Sequence, residues 1–416
     1  MATYGLLGKT LGHSYSEIIH KKLGNDAYQL INLSKEEFEA FFKKKDFCAV
    51  NVTIPYKTDA LALCDVVDEE ALHIGSVNTV VNKNGVLLGY NTDIFGFLYM
   101  LSRASITLEN KKVLILGTGG TSLTAHAASK KLNAKEVITV SRSGEVNYEN
   151  VYDHHDAEII INTTPIGMYP NNGESLLELD RFEKLSGVVD VIYNPSKTKL
   201  ISDAQSRGIK TAGGLAMLVA QAVRADEWFF DRPLPNRNAV IEKILFACEN
   251  LTQNIVLIGM PGSGKTSIGK RLAELSDRTF VDSDAYLEEI VGRKIKDMIP
   301  EDGEAAFRRM ETEVIRTLSK ESGKIIAVGG GAVLAHENRV LLQQNSRCIY
   351  IRRSLEKLDT KGRPLSVGGM DRLLSLYETR APIYESMADD IFENNSTVVS
   401  CAQKIFDKYL KEEGLE

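Results

Sequence analysis

Short apolar runs ending in glycine or small polar residues recur along this chain, and stretches with helical spacing separate them. Thr3 to Gly8, Val50 to Ile54, Lys111 to Leu116, Glu136 to Val140, Ala157 to Ile161, Asn254 to Ile258 and Ile325 to Val328 each read as a strand. Helices are expected up to about Leu23, over Leu123 to Leu132, over Asn236 to Ala247 and from Ser267 to Ala273. Alternating strands and helices predict an α/β fold, with functional residues at strand ends where loops gather ligands.

The sharpest motif is Gly259-Met260-Pro261-Gly262-Ser263-Gly264-Lys265-Thr266, a G-x-x-x-x-G-K-[ST] phosphate-binding loop between a strand and a helix. Glycines let backbone N–H groups curl around phosphate oxygens. Lys265 reaches the β and γ phosphates of ATP, and the Thr266 hydroxyl suits Mg²⁺. About 250 residues precede this loop, so it opens a late domain rather than the chain.

Composition narrows the partners. At 416 residues the chain exceeds one ordinary core and predicts two or three domains. A net charge of −6 disfavours nucleic acid as a partner, and an anionic ligand must be gripped by local basic groups. Five scattered cysteines without C-x-x-C spacing suggest neither a disulfide framework nor a zinc site. No apolar run approaches a membrane span and no signal sequence is visible, so a cytoplasmic enzyme acting on small molecules is expected.

In the first hundred residues, polar groups cluster at strand ends. Ser14 and Ser16 precede a helix, where they read first as caps. Thr53 and Lys57 follow the strand at Val50 and flank a proline expected to start a helix; Asn78 and Asp93 end the next two segments. The ordered phrases H-S-x-S, N-V-T-x-P-x-K, G-x-V-N-T and N-T-D together resemble shikimate dehydrogenase. That resemblance implies Lys57 and Asp93 as the catalytic pair. Ser14 and Ser16 would hold the substrate carboxylate, and Thr53 and Asn78 its ring oxygens. Glu17 stands where the family usually has proline, close to an anionic substrate.

Gly117-Thr118-Gly119-Gly120-Thr121-Ser122 after a buried strand forms a dinucleotide-binding turn in which Ser122 replaces the third glycine. The next strand ends in Ser141-Arg142-Ser143 rather than in a carboxylate. A guanidinium there suits a 2′-phosphate and predicts NADP. About twenty residues separate Arg142 from the following strand, so the intervening helix is expected to be missing or very short. His154-His155-Asp156 reads as a solvated turn. By resemblance, Thr163 and the segment to Met168 line the nicotinamide side, Met217 lies beside the nicotinamide, and Tyr193 and Gln221 contact substrate.

After the phosphate loop come Asp282-Ser283-Asp284, F-R-x-x-E at Phe307 to Glu311, and Gly329-Gly330-Gly331. With the P-loop they resemble shikimate kinase. The resemblance implies Asp284 on the shikimate hydroxyls, Arg308 and Arg380 on its carboxylate, Gly330 and Gly331 amides beside its ring, and Asp282 with Thr266 at Mg²⁺. Arg363, in a lid at about 360–370, would close on the phosphates. The stretch Leu355 to Gly362 is short and shows no evident arginine to stack on adenine.

The expected organisation is a dehydrogenase catalytic domain at 1–98 completed by 220–247, a Rossmann-type NADP domain at 99–219, a linker at 248–253 and a P-loop kinase domain with a parallel sheet at 254–416. The expected function is bifunctional: NADPH-dependent reduction of 3-dehydroshikimate, then ATP-dependent phosphorylation of shikimate. A quinate/shikimate dehydrogenase using NAD, or one non-catalytic ligand-sensing half, are the alternatives. Composition and motifs leave the oligomeric state open.

Overall fold

The computed structural model describes residues 3–11, 15–169, 172–358 and 369–411, and the chain divides between Cys248 and Glu249 into two compact units. In the first unit, β1 (Tyr4–Gly8), β2 (Tyr28–Asn32), β3 (Ala49–Val52), β4 (Val66–Val67), β5 (Thr79–Lys83) and β6 (Val86–Tyr90) form a sheet in the order β2-β1-β3-β5-β6-β4. β1 is parallel to β2 and β3, whereas β5 runs antiparallel to β3 and β6. The β5–β6 pairing has a local cause in Asn84-Gly85, whose φ values of 54° and 88° make the two-residue turn of a hairpin.

A second sheet of the same unit is wholly parallel. It contains β7 (Lys112–Leu116), β8 (Glu136–Val140), β9 (Ile159–Asn162), β10 (Gly187–Asp190) and β11 (Lys210–Gly213), in the order β11-β10-β9-β7-β8. β7 has β8 on one side and β9 on the other, so the loop leaving it opens the switch-point crevice where α/β sheets bind ligands. Between β8 and β9 stands only the 3-10 turn Val151–His154, in keeping with the short spacing.

Two helices, Asp93–Arg103 and Gly214–Phe229, share one apolar cluster with the flanks of the second sheet, including Phe97, Met100, Val113, Ile115 and Val219. The expected domain breaks at 98/99 and 219/220 fall inside these helices. The helix Arg237–Thr252 also extends over most of the expected linker, because Ile241, Ile244, Leu245 and Cys248 continue one buried face.

The second unit holds β12 (Asn254–Ile258), β13 (Phe280–Asp282), β14 (Ile325–Ala327), β15 (Ser346–Arg352) and β16 (Asp390–Glu393), all parallel in the order β13-β14-β12-β15-β16. β12 is buried throughout. Val256 and Ile258 pack into one apolar cluster and Ile255 and Leu257 into another, as alternation across a strand requires. No helix among the described residues is long and apolar enough to cross a membrane.

Candidate active sites

In the first unit Lys57 opens the helix Lys57–Leu63, and Asp93 opens the helix Asp93–Arg103. Pro55 lies in the turn before the former rather than starting it, so the expectation of a proline-started helix is corrected. Lys57 Nζ lies 2.5 Å from Asp93 Oδ2, with the two side chains 13% and 4% exposed. Asp93 thus sits at a helix N-terminus with the Lys57 amine in hydrogen-bond contact. Asn91 caps the same turn, accepting from Asp93 N at 3.0 Å.

Asn78 ties this pair to the wall of the cleft. Its amide nitrogen lies 2.9 Å from Asp93 Oδ1 and 2.8 Å from Gln221 Oε1, while its carbonyl accepts from Thr92 N at 2.7 Å. Asn51, which sequence reasoning missed, donates to Thr79 Oγ1 at 3.1 Å and accepts from Tyr28 OH at 2.8 Å. A polar residue on the otherwise apolar, fully buried strand Ala49–Val52 is the signal that could have found it.

A cleft of about 670 Å³ is lined by Ser16, Asn51, Thr53, Lys57, Asn78, Met168, Tyr193 and Gln221, among others. Ser14 lies outside the described residues. Burial raises the pKa of the Tyr193 hydroxyl, whose ring packs 5.2 Å from that of Tyr15. Glu17 is bridged to Lys21 at 2.8 Å along one helix face, which offsets its charge near the cleft.

The dinucleotide turn lies beside this chemistry. Gly117 has φ +104°, and a β-carbon there would meet Thr163 Oγ1 at 2.9 Å. One added at Gly119 would project into open space, which suits close approach by a pyrophosphate. One added at Gly120 would stand 3.9 Å from Lys57 Cδ, so the lysine stem passes the start of the helix Gly120–Lys131. Thr121 and Ser122 follow in that first turn, with Ser122 buried. Ser141 and the exposed Arg142 leave β8, the strand next to β7, while Met217 is buried on the helix Gly214–Phe229. Asp156 pairs with Lys112 at 2.7 Å, and the described residues contain no metal-holding group of His, Cys, Asp or Glu.

In the second unit Gly259, Gly262 and Gly264 have φ of +143°, +82° and +98°, backbone values that favour glycine. Lys265 Nζ donates to the carbonyls of Gly259 and Met260 at 2.9 and 3.0 Å, lying over the loop it closes. Thr266 Oγ1 and Asp282 Oδ2 are 2.8 Å apart, and Asp282 also caps the helix Ser283–Val291. This hydroxyl and carboxylate are hard oxygen donors of the type Mg²⁺ takes. Gly262, Gly264, Lys265, Thr266, Asp282, Asp284, Gly329 and Gly330 all line one cleft, and Ser263 is buried beneath it.

The glycine run brings the acceptor side close. A β-carbon on Gly329 would lie 2.7 Å from Asp284 Oδ1, one on Gly330 2.7 Å from Pro261 Cδ, and one on Gly331 2.6 Å from Arg308 Nη2. Arg308 is held by Glu304 at 3.0 Å and Glu311 at 2.8 Å. Burial raises the Glu311 pKa, with Arg308 opposing. Arg380 is buried on the helix Gly369–Met387 near Glu311, and the Tyr384 hydroxyl donates to the Gly330 carbonyl. Glu311, which closes the F-R-x-x-E phrase, and Tyr384 are positioning groups to which the sequence alone assigned no role. Arg363 and most of the expected lid lie outside the described residues.

Comparison with known proteins agrees with both halves. Residues 6–80 match the family model of the shikimate dehydrogenase substrate binding domain, and residues 261–412 that of shikimate kinase. A shikimate dehydrogenase (NADP(+)) of Clostridium perfringens is 36% identical over 249 residues, covering 55% of this chain and 92% of the relative. One from Caldicellulosiruptor saccharolyticus is 36% identical over 279 residues, covering 59% and 97%. Among solved structures, a chorismate mutase/shikimate 5-dehydrogenase fusion protein from Clostridium acetobutylicum superposes with a TM-score of 0.56 at 34% identity, covering 59% of this chain and 96% of that one. Shikimate 5-dehydrogenase from Thermus thermophilus, in complex with NADP(H) and shikimate, gives 0.52 at 29% identity, covering 58% and 98%. The chain therefore belongs to the shikimate dehydrogenase family and carries a shikimate kinase domain behind it.

Proposed function

We propose that this bifunctional shikimate-pathway enzyme reduces 3-dehydroshikimate to shikimate with NADPH and then phosphorylates shikimate with ATP and Mg²⁺. The observation that carries the first reaction is the Lys57–Asp93 pair at 2.5 Å, with the lysine stem beside the dinucleotide turn. Bound NADPH supplies a hydride to the ketone carbon. Lys57 gives a proton from Nζ to the oxygen as its negative charge develops, leaving an alcohol and a neutral amine that solvent reprotonates. Asp93 holds the lysine in place. Ser14, Ser16, Thr53, Asn78, Tyr193 and Gln221 orient the substrate.

Arg142 at the end of β8 suits the 2′-phosphate of NADP. In the second unit the phosphate loop positions ATP, and Thr266 with Asp282 would hold Mg²⁺, which neutralises phosphate charge when bound. Asp284 aims the accepting hydroxyl, while Arg308 and Arg380 hold the carboxylate. Phosphoryl transfer depends mainly on such positioning and charge neutralisation, which places more weight on Lys265 and Arg363 than on a base. Five free cysteines suit a reducing cytoplasm.

A one-pot reaction tests the whole reading. Protein supplied with 3-dehydroshikimate, NADPH, ATP and Mg²⁺ should yield shikimate 3-phosphate, NADP and ADP by mass spectrometry. Absence of the phosphorylated product would sink the consecutive assignment. Comparing kcat/KM with NADPH and NADH decides the cofactor.

A further inference from the structure

The helix Tyr15–Lys22 carries Ser16 and, one turn later on the same face, His20, and both are buried. His20 borders the cleft of the first unit together with Asn51, although it is fully shielded from solvent. Its ring packs nearly parallel to that of Tyr28, at 3.9 Å and 12°, and to that of Phe229, at 5.6 Å and 13°. An apolar ring would fill that stack equally well. The imidazole instead brings two nitrogens with no hydrogen-bond partner among the described residues, and Nδ1 faces Asp226 Oδ1 at 3.9 Å. Burial lowers the His20 pKa to about 3, so the ring is neutral near pH 7, and the neighbouring Asn51 side chain opposes that shift.

Asp226 is just as unusual for an interior position. It lies on the helix Gly214–Phe229, which also carries Gln221 to the cleft. Its side chain is fully buried, and neither oxygen has a hydrogen-bond partner among the described residues. The exposed Arg232 approaches Oδ2 to 3.5 Å. Burying polar groups without hydrogen bonds costs stability, so a polar pair at this place is explained by what it orients rather than by packing. What it adjoins is Asn51. The Tyr28 hydroxyl donates to Asn51 Oδ1 at 2.8 Å while the Tyr28 ring stacks on His20, and the Asn51 amide donates to the Asn78 carbonyl oxygen at 3.3 Å.

We infer that His20 and Asp226 form a buried positioning pair for the dehydrogenase reaction, in which Asp226 fixes the turn of the imidazole and the imidazole, with Tyr28, fixes the Asn51 amide toward a ring oxygen of the substrate. Neither member of the pair touches the substrate, and both act through Asn51. The inference rests on the dehydrogenase reading and adds residues that set its affinity for 3-dehydroshikimate.

Steady-state kinetics of the full chain separates this role from packing. His20→Phe preserves the aromatic stack and should raise the KM for 3-dehydroshikimate about three- to tenfold, the worth of one hydrogen bond. The change in kcat should be smaller, the KM for NADPH should stay at the wild-type value, and the thermal midpoint should not fall. On an Asn51→Ala background the same substitution should add little, because its route to the substrate is already gone. Asp226→Leu should resemble His20→Phe, whereas Asp226→Asn, which keeps an oxygen toward the ring, should raise KM less. That second pair carries the comparison should His20→Phe fail to fold. An unchanged KM in folded His20→Phe or Asp226→Leu would overturn the inference, as would effects of His20→Phe and Asn51→Ala that simply add. Wild-type protein that does not reduce 3-dehydroshikimate would refute the dehydrogenase reading itself, an outcome distinct from a failure of the variants alone.

Discussion

Lys57 has one residue-scale consequence that kinetics can read directly. Lys57→Ala should lower the turnover of 3-dehydroshikimate reduction by about 10²–10⁴-fold, the usual worth of general acid catalysis, and leave NADPH binding near wild type. Stopped-flow turnover with fluorescence titration of the cofactor separates the two effects, and near-normal turnover would remove Lys57 from the proposed role. Behind the same cleft, His20 stacks 3.9 Å from the Tyr28 ring and lies 3.9 Å from Asp226. Burial lowers the His20 pKa to about 3 and raises that of Asp226 to about 6, with Arg232 opposing the latter. Between pH 6.5 and 3 the unfolded chain protonates this histidine while the folded chain does not, so its contribution to stability falls as pH falls. For Asp226 the sign is opposite, because the folded state binds the extra proton between about pH 3.8 and 6, and its contribution is lost as pH rises through 6. Urea midpoints against pH should therefore show a shallower acid decline in His20→Phe and a steeper one in Asp226→Asn.

At the scale of elements, the first site depends on how closely two helices cross. Gly96 permits that approach, since an added β-carbon would stand 2.4 Å from Met217 O and 3.0 Å from Gln221 Cβ. Gly96→Val should destabilise the protein by about 1–3 kcal/mol through overpacking and displace Gln221 from Asn78. Thermal unfolding together with the KM for 3-dehydroshikimate checks both effects, and an unchanged KM would mean that the helices relax without moving Gln221. The glycine run after β14 serves a comparable end in the second unit, where it admits Asp284, Pro261 and Arg308 next to backbone.

At the scale of the molecule, the proposed function gives the two units separate chemistry in consecutive reactions. Lys265→Met should abolish phosphorylation and leave reduction unchanged. Removing Mg²⁺ with a chelator should do the same to the wild-type enzyme. Loss of both activities in a folded Lys265→Met protein would contradict independent sites. Each reaction, assayed alone with its own substrate, provides the measurement.

Much of this was legible in the chain itself. Motifs in which a conformation and a chemistry coincide can be read locally: the phosphate loop needs glycine at positive φ beside Lys265 and Thr266, and the dinucleotide turn needs Gly117 and Gly119. The unbroken apolar run along β12 likewise announces a central strand buried on both faces. The hairpin turn at Asn84-Gly85 is equally local, a two-residue pair suited to positive φ. Other features depend on groups far apart in sequence. The Lys57–Asp93–Asn78–Gln221 constellation exists because separate strand ends and the helix Gly214–Phe229 meet at one cleft, and family resemblance named its members without supplying their contacts. Asn51, Glu311 and Tyr384 acquire meaning only from burial and neighbours, which tertiary packing decides. The expected breaks at 98/99 and 219/220 lie within the continuous helices Asp93–Arg103 and Gly214–Phe229, whose residues join two sheets in one unit and carry no local mark of a boundary.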